Sequence, residues 1–258
     1  MNEYLQQEIE YRNSLPGTLN EEDGINCDKC LNRGFITIIS NGKYLVEQDC
    51  ECKKVRITTK RLRECGIPKE TLERYTFKNY VAEEEWQKKL KETIVNYLKE
   101  ENNNWLALSG KTGAGKTHLC IATYKYLIVK RYKRGEYISW NAEIPKLLAL
   151  SKSTYTDNQE KFEERINFLS NVDVLYIDDL FKLTSNKYGD EESLSIAYRI
   201  LNNRYLDKNK ITIISTEFYE RDIASLDEAI WGRIHERCSN GATWLSISNE
   251  DSRNYRAR

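Results

Sequence analysis

Eight residues in the middle of the chain constrain its fold more than any other feature. Residues 110–117 read Gly-Lys-Thr-Gly-Ala-Gly-Lys-Thr, which matches the G-x-x-x-x-G-K-[ST] pattern of a phosphate-binding loop. Such a loop needs a strand before it and a helix after it. The sequence offers an apolar run at residues 105–108 and a stretch of helical length without Gly or Pro at residues 118–130. The pattern therefore predicts an α/β domain that binds ATP.

The residue types in the loop explain how phosphate would be bound. Glycines let consecutive backbone N–H groups turn inward towards phosphate oxygens, and the following helix adds the positive end of its dipole. We expect Lys116 to neutralise the β- and γ-phosphates and the Thr117 hydroxyl to bind Mg²⁺. The alternative is a glycine-rich turn with a chance lysine. The predicted nucleotide-binding residues of this segment are Gly110, Lys111, Thr112, Gly113, Ala114, Gly115, Lys116, Thr117 and His118.

From residue 105 onward, short apolar runs alternate with helical segments, which predicts a parallel sheet with helices on both faces. The predicted strands are residues 105–108, 137–140, 172–177, 211–215 and 243–247. The third strand ends in Asp178 and Asp179, about 60 residues after the loop. Because carboxyl ends of parallel strands share an edge, we expect Asp178 to hold Mg²⁺ through water and Asp179 to orient or deprotonate the attacking water. The alternative is a pair that caps the following helix.

The fourth predicted strand and a later helix supply further polar groups. Ser215 and Thr216 are candidates to contact the γ-phosphate or the attacking water. Glu217 follows them, although phosphate would repel its carboxylate unless the group were protonated or turned away. Arg233 and Arg237 are four residues apart and so share one helix face. Their guanidinium groups suit a γ-phosphate in the same or a neighbouring subunit, whereas the alternative is a pair of surface arginines.

Four of the seven cysteines lie close together in the N-terminal part, in a C-x-x-C pair and a C-x-C pair. Two β-rich runs joined by Asn41 and Gly42 separate the pairs, which is a strong hairpin signal. Four thiolates brought together by a hairpin predict a structural zinc site, and the metal would supply folding free energy that so small a unit lacks. The alternative is four reduced cysteines on a surface hairpin. The predicted zinc ligands are Cys27, Cys30, Cys50 and Cys52.

Composition sets limits on the remaining possibilities. The chain has 258 residues, enough for one α/β domain and a small appendage. Lys+Arg and Asp+Glu both number 40, so bulk charge does not indicate nucleic-acid binding, and any such site must be a local patch. The N-terminus has no signal-peptide pattern, and no apolar run reaches membrane-spanning length. The odd, uneven set of cysteines argues against a disulfide framework, so a reducing cytoplasm is expected.

Together these motifs resemble those of AAA+ ATPases of the DnaC/DnaI helicase-loader family, which the IstB transposition ATPases resemble in turn. The cysteine hairpin is similar to the zinc-bearing N-terminal region of DnaI-type loaders. The matching segments of the ATPase part are residues 110–117, 175–179, 203–205, 211–217 and 232–237.

The resemblance implies an AAA+ domain at residues 67–258, with a five-stranded parallel sheet and no helical lid. Residues 1–66 would form an N-terminal helix and a zinc ribbon that binds the replicative hexameric helicase. Copies of the chain would associate through the ATP interface, with Arg233 or Arg237 as arginine finger. An asparagine typical of the family is replaced by Glu217, which fits slow hydrolysis dependent on assembly.

The resemblance also implies contact with single-stranded DNA and no membrane. Lys187 and Tyr188 are our best candidates for that contact, because single strands bind to cations and aromatic faces; a solvated loop is the alternative. Two other functions stay open at this point. One is an IstB-like ATPase that assembles on DNA and recruits a transposase, where a zinc ribbon is not expected. The other is a small-molecule phosphotransferase, which would need an arginine-rich lid.

Overall fold

The computed structural model describes residues 3–182 and 191–248. The chain divides into two compact units, Met1–Arg63 and Glu64–Arg258. In the part of the chain that is described, no helix combines the length and apolar character needed to cross a bilayer.

The first unit is built around an antiparallel hairpin. Its elements are helices α1 (Glu3–Ser14) and α2 (Leu19–Asp23), strands β1 (Phe35–Ser40) and β2 (Tyr44–Asp49), and helix α3 (Glu51–Glu64), which extends one residue past the unit boundary. The turn between the strands places Asn41 and Gly42 at φ 52° and 70°. Both residues are therefore in the left-handed region that the Asn-Gly pair favours, and the connection is three residues long, since Ser40 pairs with Tyr44 across the hairpin.

Polar contacts hold this small unit together. Helix α1 buries no residue and therefore adds nothing to an apolar core. The Asn13 side chain donates to the Thr37 carbonyl and accepts from the Thr37 amide, both at 2.9 Å, so it pairs with β1 as a neighbouring strand would. The buried Arg56 guanidinium bonds both carboxylate oxygens of Asp23, at 2.5 and 2.6 Å. These contacts join α1 to the hairpin and α3 to α2, in a unit that has little apolar core of its own.

The second unit is a parallel sheet covered by helices. Its helices are α4 (Lys69–Arg74), α5 (Glu85–Lys99), α6 (Lys116–Lys130), α7 (Trp140–Ser151), α8 (Thr156–Asn171), α9 (Glu191–Leu206), α10 (Glu220–Leu226) and α11 (Glu228–Arg237). Its strands are β3 (Leu106–Ser109), β4 (Gly135–Ser139), β5 (Val174–Asp178), β6 (Ile211–Thr216) and β7 (Trp244–Ser246), in the order β4-β5-β6-β3-β7. All neighbouring strands are parallel, and each lies within two residues of its predicted position.

The strand order decides where a site can form. Strands β3 and β6 are buried along their whole length, as expected for central strands covered on both faces. Strand β6 lies between β3, which leads into the phosphate loop, and β5, which ends at Asp178. The loop and Asp178 therefore meet at the carboxyl edge of the sheet, with the end of β6 between them.

The amino edge of the same sheet is held by buried arginine. Arg204 of α9 is fully buried, and its guanidinium donates to the carbonyls of Leu169, Val172 and Ile211 at 2.9, 2.8 and 2.6 Å. Its Nε also donates to the Thr212 hydroxyl at 2.9 Å. One side chain thus fixes the chain entering β5 to the start of β6 and satisfies carbonyls that burial would otherwise leave without partners.

Candidate nucleotide site and cysteine cluster

The phosphate loop has the conformation that its glycines predict. Gly110, Gly113 and Gly115 have φ of 136°, 86° and 86°, in a region that residues with a side chain rarely adopt. A Cβ on Gly110 would also come within 2.8 Å of the Ile247 carbonyl oxygen. Helix α6 begins at Lys116, so its first N–H groups open towards the loop.

The Lys116 side chain lies buried within the phosphate loop. It is 6% exposed, and Nζ donates to the carbonyls of Gly110 and Lys111 at 2.6 and 3.0 Å. Burial lowers the pKa of Lys116, partly offset by Asp179 and Glu217. An ammonium held only by backbone carbonyls can exchange them for phosphate oxygens, which are stronger acceptors.

Asp178 is surrounded by hydroxyl groups at the end of β5. Its Oδ1 accepts from Tyr176 at 2.7 Å, from Thr117 at 3.3 Å and from Ser215, while its Oδ2 accepts from Tyr137 at 3.3 Å. The structure therefore brings together Thr117 and Asp178, which the sequence analysis assigned to Mg²⁺. Hydroxyl and carboxylate oxygens are the ligands that Mg²⁺ prefers, so this pair fits the ion.

Asp179 lies beside Asp178 with a different environment. Burial, and then the charge of Asp178, raises the pKa of Asp179. A raised pKa makes the carboxylate a stronger base, which suits a group assigned to deprotonate water. The residue has φ 54°, so its backbone is turned into the left-handed region at the end of the strand.

The hydroxyls of Ser215 and Thr216 make other hydrogen bonds in this structure, and their predicted phosphate contact stays a prediction. Both are fully buried. The Ser215 hydroxyl donates to Asp178 and accepts from the Asp179 amide at 3.1 Å, whereas the Thr216 hydroxyl donates to the Leu180 carbonyl at 2.9 Å. Their polar atoms are engaged in positioning the acidic pair and the loop that follows it, which sequence alone did not indicate.

Glu217 makes two contacts that the sequence did not indicate. Glu217 accepts from the Thr112 hydroxyl of the phosphate loop and from Lys182 Nζ at 2.6 Å. Burial would raise the pKa of Glu217, but the bonds from Lys182 and Thr112 outweigh it and lower that pKa. The carboxylate is therefore ionised and faces the loop. Its position after β6 was visible in the sequence, but its cationic partner was not.

A cleft of about 300 Å³ joins these groups. Arg74, Tyr75 and His118 also line it. His118 Nε2 lies 2.8 Å from the Thr76 carbonyl oxygen, and its ring centroid lies 5.0 Å from that of Tyr75. Burial lowers the pKa of His118, so the imidazole is neutral at physiological pH. An aromatic side chain and a guanidinium beside a phosphate loop can pack against a nucleobase.

The two candidate arginine fingers differ in their surroundings. Arg237 is 4% exposed and donates to the carbonyls of Lys210, Asn103 and Asp207 at 2.7, 3.0 and 3.4 Å. These acceptors lie at the amino edge of the sheet, so in this conformation the Arg237 guanidinium is engaged within its own chain, and its role as arginine finger stays a prediction. Arg233 is less buried and bonds Asn202 at 2.8 Å and the Tyr198 hydroxyl at 2.9 Å.

The four N-terminal cysteines form one cluster. Their sulfurs all lie within 4.8 Å of one another, with Cys27 3.8 Å from Cys50 and Cys30 3.5 Å from Cys52. Zinc–sulfur bonds of about 2.3 Å at tetrahedral angles separate sulfurs by about 3.8 Å, so the cluster fits one Zn²⁺. The Gly34 amide donates to the Cys30 sulfur at 3.3 Å, a contact that stabilises a thiolate.

Lys187 and Tyr188, the predicted DNA contacts, lie outside the described residues.

A phosphate loop, an acidic strand end two strands away and the order β4-β5-β6-β3-β7 together define a P-loop ATPase domain of the AAA+ class. Comparison with known proteins agrees: residues 72–241 match the family described as the bacterial DnaA ATPase domain. The chain therefore belongs to that family. Because the match covers most of the second unit, the AAA+ fold expected from the sequence is confirmed.

Individual relatives support the resemblance to DnaC, and a solved structure of DnaI shares the fold. The chain is 30% identical over 208 residues to YqaM of Bacillus subtilis (strain 168), an uncharacterised protein, and the match spans 77% of this chain and 63% of YqaM. It is 29% identical over 185 residues to the "Replicative helicase loader DnaC" of Escherichia coli (strain K12), across 71% of this chain and 69% of that protein. The crystal structure of DnaI superposes with a TM-score of 0.52 at 21% identity, over 73% of this chain and 93% of DnaI.

Proposed function

We propose that this protein is an ATP-switched helicase loader, which binds a replicative DNA helicase and delivers it to single-stranded DNA. The observation that carries the proposal is the meeting of Lys116, Thr117 and Asp178 at one sheet edge, in a chain whose relatives include proteins named helicase loaders. ATP acts here as a ligand with different affinity for two states of assembly.

Each site residue has a proposed role in binding or hydrolysing ATP. Lys116 exchanges its bonds to Gly110 and Lys111 for the β- and γ-phosphates. Thr117 and Asp178 hold Mg²⁺, which neutralises phosphate charge when bound. Asp179 orients the attacking water and takes a proton from it. The residues on which this depends already lie together in the cleft.

Hydrolysis is proposed to be slow and to depend on assembly. Glu217 pairs with Lys182 beside the loop, so this lysine is not fully available to stabilise the charge that builds up on the γ-phosphate. A guanidinium from a neighbouring copy would offset that charge. Arg233 is the better candidate, because Arg237 would first have to give up its carbonyl acceptors.

For the N-terminal part, residues 1–66, we propose a helicase-binding role with Zn²⁺ held by the cysteine cluster. Arg56 supports the cluster: it bonds Asn32 at 3.3 Å, and Asn32 accepts from the Cys27 amide at 2.8 Å. Metal analysis of the intact protein tests this part. We expect one zinc per chain and its loss in Cys27→Ser, while Cys65→Ser, which changes a cysteine outside the cluster, retains it. Absence of zinc from the wild-type protein contradicts the assignment.

Co-purification with the replicative helicase of the same host tests the loader function. We expect a complex that is stable with ATP and weakened with ADP, and that Lys116→Ala no longer responds to nucleotide. Tight binding of duplex DNA without any helicase complex would instead favour the transposition ATPase.

Mixing Lys116→Ala with Arg233→Ala tests action between subunits, since each variant can supply what the other lacks. If the mixture never regains hydrolysis, a role for Arg233 in a neighbouring site is wrong.

A further inference from the structure

A carboxylate directly beside the phosphate loop needs an explanation. Glu217 contacts the loop at Thr112 and lines the same cleft as Lys116, to which we assign the β- and γ-phosphates. A carboxylate and a phosphate in the same partly buried cleft repel each other more strongly than in water, because the effective dielectric there is lower. The cleft also holds Asp178 and Asp179, so a third carboxylate would oppose ATP binding unless it were neutralised.

Lys182 supplies the neutralising charge. Its Nζ lies 2.6 Å from Glu217 Oε1 and 3.6 Å from Asp179 Oδ2, so it bridges the two carboxylates across the cleft. The Lys182 side chain is 38% exposed, which leaves it room to move its ammonium towards a ligand. Lys116 approaches the loop from the start of α6, whereas Lys182 approaches from the end of β5. The cleft thus has cations on two sides.

The neighbourhood of Lys182 points to the terminal phosphate. Asp179 is the group to which we assign the attacking water, and that water must face the γ-phosphate. A cation 3.6 Å from Asp179 is therefore close to the γ-phosphate and farther from the phosphates that ADP retains. A charge placed there favours ATP over ADP, in contrast with Lys116, which serves both nucleotides.

We propose that Lys182 and Glu217 act as a charge pair that discriminates ATP from ADP. In the nucleotide-free cleft Lys182 neutralises Glu217 and, through Thr112, holds the phosphate loop. When ATP enters, Lys182 shares its charge between Glu217 and the γ-phosphate. With ADP it stays with Glu217. The inference rests on the proposed nucleotide site and adds to it a residue that sets which nucleotide is preferred.

A double-mutant cycle on the full chain tests the proposal. The quantity is the selectivity, defined as Kd for MgADP divided by Kd for MgATP, from isothermal titration calorimetry. Lys182→Met leaves Glu217 unneutralised, and we expect the selectivity to fall about tenfold. Glu217→Gln frees Lys182 for phosphate, and we expect a rise of about three- to tenfold. The double variant lacks both the repelling carboxylate and the ammonium that favours ATP, so we expect its selectivity to lie about threefold below wild type, a smaller fall than in Lys182→Met because no unneutralised carboxylate remains.

Matched variants separate this effect from general ones. Lys182→Arg keeps the charge and should keep the selectivity. Lys152→Met removes a lysine paired at 2.5 Å with Glu192 outside the cleft, and should change nothing. Thermal unfolding of each variant shows whether it is folded; if Lys182→Met is not, Glu217→Gln and Lys182→Arg still decide the question.

The proposal is overturned if the single variants leave the selectivity unchanged, or if Lys182→Met weakens ATP and ADP equally. Lys116→Ala distinguishes the two levels of failure. If it abolishes binding while the pair variants have no effect on selectivity, the site stands and only this inference fails. If Lys116→Ala binds nucleotide like wild type, the nucleotide site itself is wrong.

Discussion

The two edges of the central sheet both carry buried charge, but they treat it differently. At the amino edge, Arg204 and Arg237 donate to backbone carbonyls that are fixed in place by the fold. At the carboxyl edge, Lys116 is held by two loop carbonyls, and Lys182 by a carboxylate, next to a cleft of about 300 Å³. The first arrangement is complete in itself, whereas the second can exchange its partners for a ligand.

This difference teaches how to separate a structural cation from a functional one. Motif position alone placed Arg237 and Lys116 in the same category. The two cations differ in the acceptors around them. Around Arg237 the acceptors are enclosed by the protein, whereas around Lys116 they face an open cleft, from which a ligand can replace them. Substitutions at the amino edge should therefore reduce stability, and those at the carboxyl edge should reduce binding.

The largest stability effect is expected from Arg204→Met. The change leaves the carbonyls of Leu169, Val172 and Ile211 buried without donors, and we expect a loss of about 3–5 kcal/mol in the free energy of unfolding by urea. Arg199→Met is the matched control on the same helix, because Arg199 forms an exposed ion pair with Glu163 and should cost at most about 0.5 kcal/mol. If Arg204→Met and Arg199→Met reduced stability equally, the buried arginine would not be what holds the amino edge.

Lys116→Ala should give the opposite profile. We expect MgATP affinity to fall at least about 100-fold, which is about 2.7 kcal/mol, with no loss of stability, because the substitution removes a desolvated ammonium. Calorimetry and urea unfolding measure the two quantities on one sample. Lys130→Ala, at the exposed end of the same helix, should leave both unchanged. A large fall in stability for Lys116→Ala would mean that the carboxyl edge is as closed as the amino edge.

Arg237→Met sharpens the comparison, because sequence and structure give this residue different roles. We expect a loss of about 2 kcal/mol in unfolding free energy, since the change removes the donors to three carbonyls. Nucleotide affinity at low temperature should stay within about threefold of wild type. Wild-type stability together with loss of assembled ATPase activity would restore Arg237 as an arginine finger.

The smallest effect concerns pH. The pKa of Asp179 is raised in the folded protein, so between the ordinary aspartate pKa of about 4 and that raised value the folded state binds more protons than the unfolded state. Stability therefore falls as pH rises through this window. The Asp179→Asn variant has no carboxyl group to titrate at this position, so it does not lose stability in this way. We expect the variant to be more stable by about 0.5–1 kcal/mol at pH 7.5, and the gain to shrink towards pH 4.5. A gain independent of pH would contradict the cause.

The sequence predicted the features that depend on local spacing. The glycine pattern of residues 110–117, the Asn41-Gly42 turn and the apolar strands each specify a backbone conformation directly, and the structure has them. The sequence was less informative about side chains whose environment depends on elements distant along the chain. Ser215 was assigned to phosphate because it lies near the end of a strand, but its hydroxyl donates a hydrogen bond to Asp178 of the neighbouring strand. The pairing of Lys182 with Glu217 could not be read from the sequence, because the two residues are 35 positions apart.

The end of strand β6 imposes a rule on any sequence that keeps this site. Three consecutive side chains serve three different parts of it: Ser215 bonds Asp178, Thr216 bonds the Leu180 carbonyl, and Glu217 bonds Thr112 and Lys182. Successive side chains of a strand point to opposite faces, so inserting or deleting one residue before Ser215 would exchange the faces and misdirect all three. Length variation between homologues should therefore fall outside residues 211–217, and an alignment that places a gap there is misaligned.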